Sequence, residues 1–129
     1  MTDKQTIEAL REYPEGQGLD GTYYAMAMFL TGVDLGRSNG MLRGFTEWLV
    51  VRRGELSPFY WHKLVLLELF PDMKVGGWKN PDHLTPEQHR QAVDHLLSLI
   101  LEFLETRNAW GEMGRMYTQY HAMHAHITG

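Results

Sequence analysis

The stretch TPEQHRQAVDHLLSLILEFLET, residues 85–106, decides the fold of this chain. Thr85 and Gln88 form the capping-box pattern of a helix N-terminus, and Pro86 suits the first helical position. Large apolar residues then recur at helical spacing and cover more than one face of the helix. They are Val93, Leu96, Leu97, Leu99, Ile100, Leu101, Phe103 and Leu104. So much apolar surface needs cover from several neighbours, so the sequence predicts a bundle around this helix.

Two helices are predicted before this stretch in the N-terminal part of the chain. Residues 3–13 place apolar side chains on one side of a short helix that ends before Pro14. The segment GTYYAMAMFLTGVDLGR, residues 21–37, is apolar nearly all round, which is typical of a buried helix. Gly36 is its predicted stop.

Two more helices are predicted in the aromatic-rich middle of the chain. Ser38 or Asn39 is the expected cap of the third helix, and Gly54 is its expected C-terminal glycine. The serine–proline pair at 57–58 is the expected start of the fourth helix. Pro71 ends that helix, because the residue before a proline is disfavoured in helical conformation.

The remaining segments complete an all-α prediction. Residues 71–84 read as a long loop, and residues 108–126 as a last helix that carries several aromatic residues. No segment has the alternating pattern of a strand. We therefore predict a single helical domain over residues 1–129, a bundle of five or six helices around the central apolar helix 85–106.

Composition narrows the class of protein. The chain has 129 residues and is 43% hydrophobic, which fits one globular domain. It has no cysteine, which excludes disulfides, thiol catalysis and cysteine-ligated metals. No apolar run approaches the ~18 residues of a membrane span, and the start MTDKQTIEALREY lacks the apolar region of a secretory signal. We expect a cytoplasmic protein without a membrane partner.

Charge is unevenly distributed along the chain. The net charge is −4, and residues 82–112 hold six acidic against two basic residues. A nucleic-acid binder needs a concentrated basic face, so nucleic acid is not an expected partner. An acidic surface instead favours a basic protein partner, although the same charge also serves solubility. The expected acidic contact residues are Asp82, Glu87, Asp94, Glu102, Glu105 and Glu112.

Other candidate binding residues lie in the middle of the chain. Arg43 and Glu47 are four residues apart on the predicted third helix, where they form either a surface ion pair or, with Trp48, a polar site in an aromatic wall. Trp78 and Lys79 follow two glycines in the predicted loop. This tryptophan either packs into the core or projects as a binding anchor.

The sequence offers little catalytic chemistry. No nucleophile motif, paired acidic motif or glycine-rich nucleotide loop is present, so the sequence disfavours an enzyme and predicts no cofactor. His121 and His124 are three residues apart on one helical face, a spacing compatible with a shared metal. Exposed histidines near a chain end explain the same pattern, and this explanation is preferred.

A resemblance adds to these observations. The segments YYAMAMFLTGVDLGR and LRGFTEWLVVRRG, followed by a tryptophan-bearing helix that ends LELFPD, resemble a group of small uncharacterised bacterial proteins. Some of those proteins resemble immunity proteins of toxin systems. The similarity covers residues 22–72 and transfers no functional residues. It implies a bacterial cytoplasmic helical protein that binds and neutralises a toxin.

Two functional hypotheses follow. The preferred one is a protein-binding module, in the form of an immunity protein that neutralises a cognate toxin by occlusion. The alternative is a small-molecule-binding or enzymatic helical domain. Its pocket would lie between the second and third helices, with the loop 71–84 as a lid. Homo-oligomer formation stays open at this point.

Overall fold

The computed structural model of this chain describes residues 2–13, 19–38, 40–72 and 84–128, with side chains through residue 125. Six helices and no strand occur in these residues, which confirms the all-α prediction. The helices are α1 Asp3–Glu12, α2 Tyr23–Gly36, α3 Phe45–Arg53, α4 Trp61–Leu69, α5 Pro86–Asn108 and α6 Glu112–Thr128. Among the described residues no helix combines the length and apolarity that crossing a membrane requires.

Helix α5 is the centre of the bundle, as its sequence predicts. The hydroxyl of Thr85 accepts from the Gln88 backbone N–H, and the Gln88 side chain accepts from the Thr85 N–H, which completes the capping box. Each of the other five helices packs against α5. Its buried residues are Ala92, Val93, Leu96, Leu97, Leu99, Ile100, Phe103 and Leu104.

Aromatic rings join α3, α4 and α5. The ring centroid of Phe45 lies 5.3 Å from that of Phe103 and 5.9 Å from that of Trp61. Trp48 stacks on Phe45 at 6.0 Å and meets Phe103 edge-on at 5.9 Å. Such arrangements stabilise beyond the area they bury, so this cluster fixes how the three helices meet.

The start of α3 differs from the prediction of a cap at Ser38 or Asn39. Asn39 lies outside the described residues, and α3 begins only at Phe45. The Asp34 carboxylate accepts from the Leu42 backbone N–H at 2.8 Å, and Gly44 has φ +88°. A left-handed residue cannot continue a right-handed helix, so α3 starts after it. The predicted end is confirmed, because Gly54 caps α3 with φ +78°.

The starts of α4 and α6 also lie later than predicted. The Ser57 hydroxyl accepts from the Phe59 N–H at 3.2 Å, which forms a local turn in place of a helix cap. Helix α4 begins at Trp61, whose N–H donates to the Thr46 hydroxyl at 3.2 Å. Gly111, with φ +80°, separates α5 from α6, which begins at Glu112 in place of residue 108.

A glycine pair tests the contact between α3 and α6. A Cβ at Gly44 would lie 2.7 Å from the Tyr117 hydroxyl oxygen and 2.8 Å from the Met113 Cε, whereas a Cβ at Gly54 meets nothing within 4 Å. Both glycines have positive φ, so alanine at either costs about 1–2 kcal/mol of backbone strain. We predict that Gly44→Ala lowers the free energy of unfolding by a further ~1 kcal/mol through displaced α6 contacts.

Urea unfolding of both variants measures this difference. Gly54→Ala is the control for backbone strain alone, since it leaves the packing untouched. Equal losses in the two variants would contradict the close contact of α3 with α6.

Candidate functional site

The outward side of α2 is an apolar surface that the other described helices leave uncovered. Three large side chains on this side stay exposed: Tyr24 at 52%, Met28 at 52% and Leu35 at 64% of their surface. At 100° per residue they fall within one narrow arc of the helix, and we call them the α2 stripe. The opposite side of α2 is buried through Tyr23, Met26, Ala27 and Leu30.

The α2 stripe is uncharged along its whole length. Thr31 and Gly32, which flank its arc on either side, are also uncharged, and a Cβ at Gly32 would meet nothing within 4 Å. Asp34 is the one charged residue in α2, and its carboxylate turns to the Leu42 N–H at 2.8 Å. The prediction of a buried helix therefore holds for only half of α2. An apolar exposed face of this kind is typical of an interaction site.

The first turn of α2 is held by two histidine residues. The Tyr23 N–H donates to the Nδ1 atom of His89 on α5 at 3.0 Å. The Tyr23 hydroxyl donates to the backbone carbonyl of His62 on α4 at 2.5 Å, and burial raises the pKa of Tyr23 well above its ordinary value. The Thr22 hydroxyl accepts from the Ala25 N–H at 3.3 Å. These bonds fix the orientation of α2 on α4 and α5.

The far end of α2 is held by an ionic network. The Arg37 guanidinium donates to Asp3 of α1 and, at 3.3 Å, to the Thr6 hydroxyl. The second Asp3 oxygen accepts from Arg107 of α5 at 2.9 Å. Arg107 also donates to the Gly40 and Met41 carbonyls, both at 2.7 Å. With both ends held, α2 presents its stripe on a rigid support.

The predicted site of Arg43, Glu47 and Trp48 does not form as expected. Trp48 is 9% exposed and packs in the aromatic cluster, with the Arg52 guanidinium 5.7 Å from its ring centroid. Arg43 precedes α3 and donates to the Ser38 carbonyl at 3.4 Å. No Arg43–Glu47 ion pair occurs in the described part of the chain, because the left-handed Gly44 interrupts the helix between them.

Arg43 and Glu47 instead lie near a tyrosine of α6. Burial raises the pKa of Tyr117, and the Glu47 carboxylate adds to this effect while the Arg43 charge opposes it. This Arg–Glu–Tyr group belongs to the packing between α3 and α6. It forms a polar seam at that contact, and Trp48 contributes nothing polar to it.

The predicted acidic surface exists on α5, but much of its charge is paired. Asp94 pairs with Arg11 of α1, and Glu102 pairs with Arg52 of α3, both at 3.3 Å. Glu87 and Glu112 pair within their own helices, with Arg90 at 3.4 Å and Arg115 at 2.7 Å. Glu105 is exposed and makes no ion pair within the described residues. All these pairs are solvent-exposed, so each contributes little to stability.

Two grooves lie among the described residues, and neither of these is between α2 and α3, where the alternative hypothesis expects a pocket; most of its expected lid, residues 73–83, is outside the described part. One, of about 550 Å³, lies between α3 and α4 and is lined by Leu49, Arg52, Arg53, Leu64, Leu67, Glu68 and Pro71. The other, of about 150 Å³, lies between α1, α5 and the start of α2. Neither contains Arg43 or Glu47. Among the described helices, α3 packs mainly on α4 and α6 and not on α2.

The remaining predicted site residues lie either on α6 or outside the described residues. Trp78, Lys79 and Asp82 lie outside the described residues. His121 and His124 are on the exposed side of α6, where the His124 Nδ1 atom lies 3.1 Å from the Tyr120 carbonyl. Within the part of the chain that the structure describes, no group of three metal-ligating side chains forms.

Comparisons with known proteins give no further assignment: no protein-family model, curated protein or solved structure matches this chain. The case for a function therefore depends on the geometry of the chain itself. The α2 stripe is the surface that sequence reasoning missed. Its signal was the all-round apolar pattern of residues 21–37, which does not reveal which half of the helix is covered.

The histidine beneath Tyr23 makes stability depend on pH. Burial lowers the pKa of His62 below its ordinary value of 6.5, and the Lys63 charge adds to this effect. The unfolded chain therefore binds this proton more readily than the folded protein does. We predict that the free energy of unfolding falls as pH drops below about 6.5, and that His62→Gln flattens this fall.

Urea unfolding at about pH 7.5 and about pH 5.5 checks the prediction. His124→Gln is the control, because it removes one exposed histidine and leaves the contact between α2 and α4 intact. An unchanged pH dependence in His62→Gln would contradict the role of burial.

Folding does not require the α2 stripe. Because Tyr24, Met28 and Leu35 are more than half exposed, serine at all three positions should change the free energy of unfolding by about 1 kcal/mol or less. Leu30→Ser is the matched contrast, since Leu30 is fully buried on the same helix. Thermal unfolding of the triple variant checks this prediction, and a loss as large as that of Leu30→Ser would contradict it.

Proposed function

We propose that this protein is a protein-binding module that acts as a bacterial immunity protein and covers the active site of a cognate toxin. The observation that carries the proposal is the α2 stripe, an uncharged apolar face on a rigidly held helix. Exposed apolar patches bordered by polar surface mark sites of protein association.

The shape of this surface favours a protein partner over a small molecule. Small-molecule sites are concave and enclose most of the ligand surface. The α2 stripe is the convex side of a helix and cannot enclose a ligand by itself. A groove on a partner protein can bury it, because helix-in-groove recognition uses apolar anchors that recur on one helix face, as the i, i+4 and i+11 positions of the stripe do.

The residue types of the stripe suit an interface centre. Tyrosine and methionine are enriched in interface cores, whereas charged residues are depleted there. Tyr24 contributes a large rigid ring with a polar tip, and Met28 adapts its shape to the partner. We therefore assign Tyr24, Met28 and Leu35 as the anchors that enter the toxin.

The charge of the chain supplies a second, weaker element. The exposed acids of α5 and the net charge of −4 favour approach to a basic surface, such as the rim of a nuclease active site. Asp94 and Glu102 are already paired, so their effect is long-range attraction and not a new set of contacts. Attraction of this kind raises association rates more than affinity.

The product of the gene adjacent to this one is the partner to test. We predict a complex at micromolar concentration, with affinity reduced by at least about a hundredfold when Tyr24, Met28 and Leu35 are all replaced by serine. Calorimetric titration gives both affinities. Tyr60→Ser with Trp110→Ser is the matched control, because both aromatics are exposed and lie off α2, and it should change affinity by no more than about threefold.

The other outcomes are equally specific. Absence of a complex with the unaltered protein would exclude that gene product as the toxin. A complex that the triple serine variant leaves intact would exclude the α2 stripe as the contact surface. A dimer of this protein alone, lost in the triple variant, would identify the stripe as a contact between two copies.

A further inference from the structure

The hydrogen bond between Tyr23 and His89 constrains the protonation state of the imidazole. Tyr23 is the first residue of α2, and its N–H is one of the four at a helix start that have no partner within the helix. His89 supplies that partner through Nδ1 at 3.0 Å. A ring nitrogen accepts a hydrogen bond only when it carries no proton, so this ring is neutral with its proton on Nε2.

We infer that His89 is a pH-responsive cap: the neutral ring holds the start of α2, and protonation of the ring releases it. A protonated imidazole carries a hydrogen on both ring nitrogens. Nδ1–H would then face the Tyr23 N–H, and two donors repel. Histidine is the side chain whose ordinary change of charge falls between pH 5 and pH 8, so this is the range in which the cap is tested.

Asp20 places a negative charge near the His89 ring. This carboxylate lies in the segment just before α2, where its Oδ1 accepts from the Thr22 N–H at 3.0 Å and the Thr22 hydroxyl at 2.6 Å. These bonds, with a smaller contribution from the His89 charge, lower the pKa of Asp20, so the group stays ionised in mild acid. The Asp20 carboxylate therefore keeps a negative charge near the ring at both pH values of the test.

Other charged groups surround this junction and enter the test. Arg11 of α1 and Arg90 and Asp94 of α5 line the groove beside Thr22 at the start of α2. Glu87 pairs with Arg90, and Lys63 follows His62 on α4. The His62 backbone carbonyl accepts from the Tyr23 hydroxyl, and burial lowers the pKa of its imidazole. Protonation of His62 weakens the whole fold, whereas protonation of His89 opens only the first turn of α2. The two effects are separable, because the first changes the free energy of global unfolding and the second changes hydrogen exchange at the Tyr23 amide.

Amide hydrogen exchange on the free, full-length protein tests the inference. We expect the Tyr23 N–H to lose at least about fivefold of its protection between about pH 7.5 and about pH 5, after correction for the intrinsic exchange rate. The Leu30 N–H, in the middle of α2, should keep its protection relative to global unfolding. Ring ¹⁵N shifts should show His89 with its proton on Nε2 at the higher pH.

His89→Asn is the decisive variant. The Asn Oδ1 atom occupies the place of Nδ1 and accepts a hydrogen bond at every pH, so Tyr23 protection should become independent of pH. His95→Asn is the control on the same helix; His95 contacts Glu68 at 3.3 Å and not Tyr23, so this variant should keep the pH response. Unchanged Tyr23 protection in the unaltered protein, a persistent pH response in His89→Asn, or a proton on Nδ1 would each overturn the inference.

The pH-responsive cap also affects Tyr24, because Tyr24 is the next residue after Tyr23 and lies in the turn that opens. Release of that turn would weaken partner binding in acid, a consequence that rests on the proposed function. The exchange experiment does not depend on it, since it needs no partner. A failed partner assay with a positive exchange result would reject the binding role and keep the cap.

Discussion

Burial of the α5 surface is the constraint on which the rest of the structure depends. Eight residues of this helix are buried, and they face more than one direction, so no single neighbour can cover them. Five helices pack around α5, and the aromatic cluster of Phe45, Trp48, Trp61 and Phe103 locks two of them to its C-terminal half. Each additional helix removes apolar surface from water, at roughly 25 cal/mol per Å².

Polar contacts then determine where the outer helices lie on this centre. Asp3 joins α1 to Arg107 at the end of α5 and to Arg37 at the end of α2. Arg107 also satisfies two backbone carbonyls of the turn between α2 and α3. Such a network specifies one arrangement, because apolar contact alone tolerates sliding of one helix along another. Loss of one partner would leave half-buried charge uncompensated, which is the costly event in networks of this kind.

The position of α2 connects this architecture to the proposed function. Its inner half completes the cover of α5, and its two ends are held by Tyr23 and Arg37. The outer half therefore stays in place although nothing covers it. Helix α2 is apolar all round but is covered on only one side. Its uncovered side has the apolar composition of a protein interface. The same hydrogen bond that fixes its start depends on a neutral histidine, so the inferred pH response is confined to the first turn, which carries Tyr24.

The sequence by itself determined the helical class, the central helix 85–106 and those helix ends that local signals specify, such as the capping box at Thr85 and the stop at Gly54. These are short-range effects, which the neighbouring residues carry. It predicted α3, α4 and α6 to start too early, because Gly44, Thr46 and Gly111 act through backbone conformation or partners distant in sequence. Only the tertiary structure decided that Trp48 is core, that Asp94 and Glu102 pair with arginines of other helices and that α2 is half exposed. Each of these three features depends on which surfaces of the helices meet. An apolar sequence pattern indicates how much surface must be buried, but it does not indicate which helix will cover it.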